Sequence, residues 1–182
     1  MKANIKTVFS NIKIVVNLLL IIWIVEIVNL LSGNTFYSFG LYPRRIGSLY
    51  GIITFTFIHG SLQHAFFNTI PLFVLGSLSA INGKKEFVRI TLFVILAGGL
   101  LLWFFGRSSY HVGASLLIFG YFGYLLSNAW HKKTATAIIA AILTIVLYGG
   151  LIYGIFPAQS YISWEGHLFG FFAGLIAAGK SK

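Results

Sequence analysis

The chain has no cysteine, no aspartate and only 3 acidic residues among 182, and just 9% of its residues are charged. Each shortage excludes something. A soluble domain carries roughly 25% charged residues. With 58% of this chain apolar or aromatic, a globule surrounded by water is ruled out. Without cysteine, aspartate or paired outward-facing carboxylates, a metal centre has little beyond histidines to draw on, so no metal and no cofactor is expected. There is no internal repeat and no low-complexity tail. What is abundant is base: 13 Lys+Arg give a formal net charge of +10. In a soluble chain that would suggest a nucleic-acid binder. In one so apolar, the cations read as topology signals for a lipid bilayer, and no nucleic-acid partner is expected.

A membrane-crossing helix needs about 20 apolar residues. Six runs qualify, over residues 14–31, 64–81, 87–105, 115–130, 134–153 and 164–178. Together they use roughly 120 positions. The remainder supplies short loops and two stubs, so residues 1–182 read as a single membrane domain with no soluble domain beside it. The first run follows Lys2, Lys6 and Lys13 and superficially resembles a signal peptide. Its core is too long, and Leu31-Ser32-Gly33-Asn34 is a poor cleavage site, so it reads as a retained helix.

Charge then sets the orientation. Alternate sides receive Lys2, Lys6, Lys13, Lys84, Lys85, Arg89, Lys132, Lys133, Lys180 and Lys182 against Arg44, Arg45 and Arg107. Cytoplasmic loops are the ones rich in Lys and Arg, so both termini are expected in the cytoplasm. An even number of spans follows, in agreement with six. Residues 34–56 form the longest connection, with Phe36, Tyr37, Phe39, Tyr42 and Tyr50 among glycines and arginines. That composition suits the headgroup region, so a loop lying partly in the outer interface is expected.

Polar residues inside lipid are costly, and each poses a functional question. Spans two, four and six all start on the outside. Near those starts stand His64 and Asn68, Ser115 within Gly113-Ala114-Ser115, and His167. Four polar groups are thus expected at similar depth, just below the outer surface. His64 and Asn68 are i,i+4 and share a helix face. Gly170 and Gly174 fall close to the stripe of His167, and small residues at that spacing let helices approach closely. Phe119, four residues after Ser115, is placed to pack under the His167 ring.

Such a set suits acyl transfer. A serine nucleophile needs a base within about 2.6–3.2 Å and donors for the developing oxyanion. Ser115 and His167 fit nucleophile and base; His64, Asn68 and the Ser115 backbone N–H fit the donors. No carboxylate is available to complete a triad. Glu86 lies on the cytoplasmic side, and Glu26 sits within span one. Glu165 is about 200° round the helix from His167. A Ser-His dyad is therefore expected, with the imidazole oriented by packing.

These residues resemble the rhomboid family of intramembrane serine proteases. The likeness runs through His59-x4-His64-x3-Asn68, Gly113-Ala114-Ser115 and His167-x2-Gly170-x3-Gly174, in order on alternate spans, and covers about residues 14–179. The flanking strings Pro43-Arg44-Arg45, residues 57–64 and residues 162–170 also read like a bacterial rhomboid. The resemblance implies an all-α, six-transmembrane-helix bundle in a bacterial plasma membrane, with its dyad in a water-filled cavity open to the outside. It implies an outer loop embedded sideways, and span five with its following loop as lateral gate and cap. It implies single-span membrane proteins as substrates, cut near the outer face beside a small residue. A helical amide is hydrogen-bonded and shielded, so such a substrate must unwind before attack. His59 is expected to bond loop backbone near the oxyanion donors.

Some features depart from the family pattern. Leu116 follows the serine where many relatives have glycine, which would narrow the cavity floor or shift the donors. Phe119 stands where tyrosine is common, and the Trp-Arg pair of some relatives' first loop is not evident. Other classes fit less well. A catalytically inactive relative that binds or escorts membrane clients usually lacks the serine or the histidine, and this chain keeps both. A metal protein on His59, His64 and His167 lacks supporting carboxylates. A transporter would show helices broken at mid-membrane, for which Gly98-Gly99 is the sole hint. Glu26, Asn17 and Asn29 are expected to make hydrogen bonds inside the bundle. His111 and His131 receive no role.

Overall fold

The computed structural model describes residues 5–157 and 162–179. Lys2, Lys180 and Lys182, which enter the charge argument, lie outside the described residues, as do residues 158–161 of the connection before the last helix. Among the described residues the structure is helical, and its only β pairing is an isolated antiparallel bridge between Leu41 and His111.

The chain opens with α1 (Ile5–Leu31), which starts well before residue 14 because Lys6 and Lys13 continue the helix. The long connection that follows is built of short 3-10 turns and one turn of helix, α2 (Gly51–Thr54). Next comes α3 (Leu62–Ala80), whose first turn is capped by Ser61, with Oγ accepting from the His64 N–H at 3.2 Å. The third run is one rod with a flaw in it. α4 (Lys84–Phe93) passes through a π turn, Val94–Gly98, into α5 (Gly99–Phe105). α6 (Ser115–Lys132) ends where Lys133 takes a left-handed conformation. α7 (Ala135–Tyr148), capped by Thr134, tightens into a 3-10 segment over Gly149–Ile155. α8 (Trp164–Gly179) closes the described chain.

Three of these stretches are long and apolar enough to cross a membrane: Lys6–Leu31, Lys84–Phe105 and Ala135–Ile155. Their outward faces carry Ile21, Ile24, Leu92, Phe104, Ile142 and Val146, all exposed. A water-soluble protein rarely shows so much contiguous apolar surface. The centre of the bundle is α6, where Leu116 to Leu125 are all buried. A helix apolar on every side is one surrounded by protein, and α3, α7, α8 and the π turn surround this one.

Small residues set the tightest contact, between α6 and α8. A Cβ added to Gly170 would collide with the Leu116 carbonyl oxygen, and one on Gly174 with that of Gly120. Nothing larger than hydrogen fits at either position. The π turn serves the same helix. A Cβ at Gly98 would lie 3.2 Å from Leu116, and one at Gly99 would lie 3.0 Å from Ile52. The Gly98-Gly99 pair is thus a packing recess for Leu116 and Ile52 inside a continuous rod.

The arginines of the long connection have structural work. Arg44 donates from Nη1 to the carbonyls of Phe104 (3.2 Å) and Gly106 (2.6 Å) and from Nη2 to Ser108 Oγ (2.9 Å). It therefore satisfies carbonyls that the end of α5 leaves unpaired. With the reciprocal Leu41–His111 backbone bonds at 3.0 and 2.8 Å, this ties the first connection to the loop that leads into α6.

Candidate active site

The N-terminal ends of α3, α6 and α8 and the 3-10 end of α7 meet around one cavity of about 920 Å³. His64, Asn68, Ser115, Phe119 and His167 all line it. Ser115 is the first residue of α6, where backbone amides have no intrahelical carbonyl to pair with. The turn before it depends on Gly113, which has φ +119°. A Cβ there would stand 2.7 Å from His64 Cε1 and 2.9 Å from its Nε2. Glycine is required twice over, for the backbone conformation and for the space His64 occupies. Asn68 is buried at 9% exposure, and its side-chain Nδ2 has no partner. A buried donor without an acceptor is costly in a native fold, and this one belongs to a residue lining the cavity beside Gly113.

His167 lies flat on Phe119, with ring centroids 4.1 Å apart and planes 6° from parallel. Its Nδ1 is 2.9 Å from the Gly154 carbonyl oxygen. A carbonyl only accepts, so Nδ1 carries the proton and Nε2 keeps its lone pair. A backbone carbonyl thus fixes the tautomer that a carboxylate fixes in a triad. Gly154 must be glycine here: a Cβ would sit 2.9 Å from Phe119 Cζ and 3.3 Å from His167 Nδ1. Its role is not legible in the sequence, because nothing marks it among the other glycines near the end of span five.

Ser115 and His167 face the same cavity without a hydrogen bond between them in this structure. Catalytic contacts in ligand-free proteins are often long and close only around substrate. Leu116 is not part of the cavity wall; it is buried against Gly98 and α8. Glu165 turns away from His167, its Oε1 accepting from the Arg107 N–H at 3.3 Å and lying 3.4 Å from Arg107 Nε.

Two histidines outside the expected dyad are also fixed. His59, buried at 1% exposure, accepts the Ala114 N–H on Nε2 at 3.2 Å. Its ring meets that of His64 edge-on, with centroids 5.0 Å apart. Burial, helped by the neighbouring His64, pushes the His59 pKa down to about 3, so the ring is neutral and its lone pair stays available. His111, which carries no role in the sequence reading, is equally buried. Its Nε2 lies 3.1 Å from the Arg107 carbonyl oxygen and its Nδ1 2.6 Å from Ser163 Oγ. Nε2 therefore carries the proton, and the Ser163 hydroxyl donates to Nδ1. Burial holds the His111 pKa below the ordinary range, against the opposing pull of the Arg107 carbonyl. Arg107 also donates to the Ile162 carbonyl. This clasp joins the loop before Ser115 to the segment before His167. One sequence signal could have shown it: His111 stands four residues before Ser115, and Ser163 four before His167.

A helical chain with an apolar outer surface and a polar cavity at one end of its bundle is an integral, multi-pass membrane protein. The rhomboid domain model matches residues 46–180, and the chain belongs to the rhomboid family. An uncharacterized protein of Mycobacterium tuberculosis is 34% identical over 167 residues, covering 87% of this chain and 70% of its own. One of Mycobacterium leprae is 33% identical over the same length, covering 87% and 66%. A protein of Acanthamoeba polyphaga mimivirus that carries a provisional rhomboid name is 31% identical over 129 residues, covering 66% and 68%.

Proposed function

We propose that this rhomboid is an active intramembrane serine endopeptidase working through a Ser115–His167 dyad. The observation that carries the reading is His167 itself, proton pinned on Nδ1 by Gly154 and ring held on Phe119, lining one cavity with Ser115 and the unpaired Asn68 amide. In the reaction, Ser115 Oγ attacks the scissile carbonyl as His167 Nε2 takes its proton. The carbonyl oxygen becomes an oxyanion that accepts from the Ser115 N–H, Asn68 Nδ2 and His64. Collapse breaks the C–N bond, and the imidazolium gives its proton to the departing amine. Water, deprotonated by the same Nε2, then releases the acyl group and restores Ser115.

Under this reading the six helical stretches are six spans of one domain. Both termini face the cytoplasm of a bacterial cell, and the cavity opens outside its plasma membrane. The substrates are single-span membrane proteins whose helix unwinds near the outer face. Phe67 and Pro71 of α3 and Gly150 and Leu151 beyond α7 border the same cavity, giving it an apolar side facing the bilayer.

Ser163 with His111 is a second serine–histidine pair on this cavity, and its bond is already short. Against it as nucleophile, the unpaired donors at the cavity are the Ser115 N–H, first in its helix, and Asn68 Nδ2. The test is cleavage of a model single-span substrate by the purified chain in detergent, beside Ser115→Ala and His167→Ala. Loss of cleavage in both supports the dyad. Cleavage that persists in Ser115→Ala excludes it, and a wild-type chain that binds such substrates without cutting them supports the client-binding alternative.

A further inference from the structure

Glu26 is the one acid buried deep within α1, at 0% exposure, and neither the nucleophile, the base nor the oxyanion donors account for it. Its Oε2 accepts the backbone N–H of His59 at 3.2 Å, and the Asn29 side chain, which itself accepts the Phe36 N–H, lies beside the carboxyl as a second partner. A carboxyl inside a membrane bundle is costly even when it is hydrogen-bonded. It is a poor choice for holding helices together, where an apolar residue would serve.

What it holds is specific. The His59 N–H points at Glu26, its ring Nε2 accepts the Ala114 N–H, and its ring edge packs on His64. Ala114 is the residue before Ser115, and the Gly113 N–H beside it donates to the Phe55 carbonyl at 2.9 Å. A continuous strut therefore runs from α1 through the first connection to the Gly113–Ala114 peptide, the one before that which presents the Ser115 N–H. The same strut backs the imidazole of His64. We infer that Glu26 is a positioning residue for transition-state stabilisation, fixing through His59 the backbone at Ala114–Ser115 and the ring of His64. This rests on the protease reading. It extends the site to a helix that contributes no residue to the cavity wall.

The consequence for kinetics follows from where the strut ends. It supports groups that bind the developing oxyanion and touches none that would bind the substrate helix. Loosening it lowers kcat and leaves KM, since an interaction used only in the transition state affects the chemical step alone. A donor displaced by a fraction of an ångström to one ångström costs about 10-fold to 100-fold in rate.

The experiment compares the full-length chain with Glu26→Gln, Glu26→Leu and Glu26→Asp in cleavage of one single-span substrate, with Ser115→Ala as blank and a thermal melt for each variant. Gln keeps an oxygen that accepts from His59, Leu removes it, and Asp withdraws it by one methylene. The expected result is kcat reduced about 10-fold or more in Leu and Asp, KM within about twofold, and Gln close to the parent. If the Leu variant does not fold, the comparison of Asp with Gln decides the matter. A folded Leu or Asp variant with kcat within about threefold of the parent overturns the inference, as does an effect confined to KM. A parent without Ser115-dependent cleavage overturns the protease reading instead, and the inference falls with it.

Discussion

The imidazole of His167 is stacked on the ring of Phe119 at a centroid distance of 4.1 Å, and its Nδ1 is bonded to the carbonyl of Gly154. Plane and rotation of this imidazole are thus set by two contacts, neither of them a carboxylate. Phe119→Leu removes the flat support and is expected to lower kcat about tenfold with little change in KM, whereas Phe119→Tyr keeps the ring plane and stays within a few fold. Steady-state cleavage kinetics on the three proteins check it.

Gly113 makes a sharper case. A methyl there forces an L residue into φ +119° and drives into the His64 ring, 2.7 Å from Cε1. Gly113→Ala is expected to reduce kcat on the order of 100-fold. Its melting temperature should fall less than that of any substitution in the α6–α8 contact, which a melt beside the activity assay would show.

That contact has its own prediction. A Cβ on Gly174 lands on the Gly120 carbonyl oxygen, so Gly174→Ala must push α8 off α6. The expected cost is on the order of 3 kcal/mol. Gly47→Ala, where nothing lies within 4 Å, should melt like the parent. Equal melts for the two variants would contradict so close an approach of the helices.

His59 links acid to stability. Unfolded, its ring binds a proton near the ordinary value of 6.5; folded, burial lowers this to about 3. Between those values the unfolded chain holds more protons, so the folded state gains stability as pH rises and loses it as pH falls from 6.5 toward 3. Thermal melts taken downward from neutral pH are expected to show that slope, and His59→Gln should make it shallower, the remainder including His111, whose pKa burial also lowers.

The clasp between His111 and Ser163 separates structure from chemistry. Ser163→Ala removes a 2.6 Å bond and is expected to cost about 1 kcal/mol of stability. A fluorophosphonate probe should still label that variant and should fail on Ser115→Ala. Labelling that vanishes with Ser163 instead would move the nucleophile to the second pair.

Much of this site is readable without coordinates, for a physical reason. Residues that must converge on alternate helices recur at the same ends of those helices, and lipid makes polar residues rare enough for the pattern to stand out. Ser115, His167, His64, Asn68 and Phe119 are legible in this way, and so is the close α6–α8 approach through Gly170 and Gly174. Backbone partners are not. The Gly154 carbonyl and the Phe55 carbonyl belong to residues whose side chains say nothing about them. His111 stays hidden because a histidine near an apparent interface has an ordinary explanation. The π turn is hidden too, since Gly98-Gly99 suits a broken helix as well as a recess. Leu116 illustrates the limit: sequence places it next to Ser115, while helical rotation carries its side chain away from the cavity, against Gly98.

The burial of α6 has a mechanical meaning. Its flanks are occupied by α3, α7, α8 and the π turn, and two glycines of α8 lie against its carbonyls. α7 contrasts with it: small Ala137, Ala140 and Ala141 face inward, while Ile138, Ile142, Ile145 and Val146 are exposed. The bundle thus resembles a vice with one fixed jaw and one light one. If a substrate helix arrives laterally, as the proposed function requires, deformation concentrates in the light jaw and the fixed one keeps its register. Under the proposed function, the stiffness of α7 becomes a second lever on turnover, separate from the reactivity of Ser115.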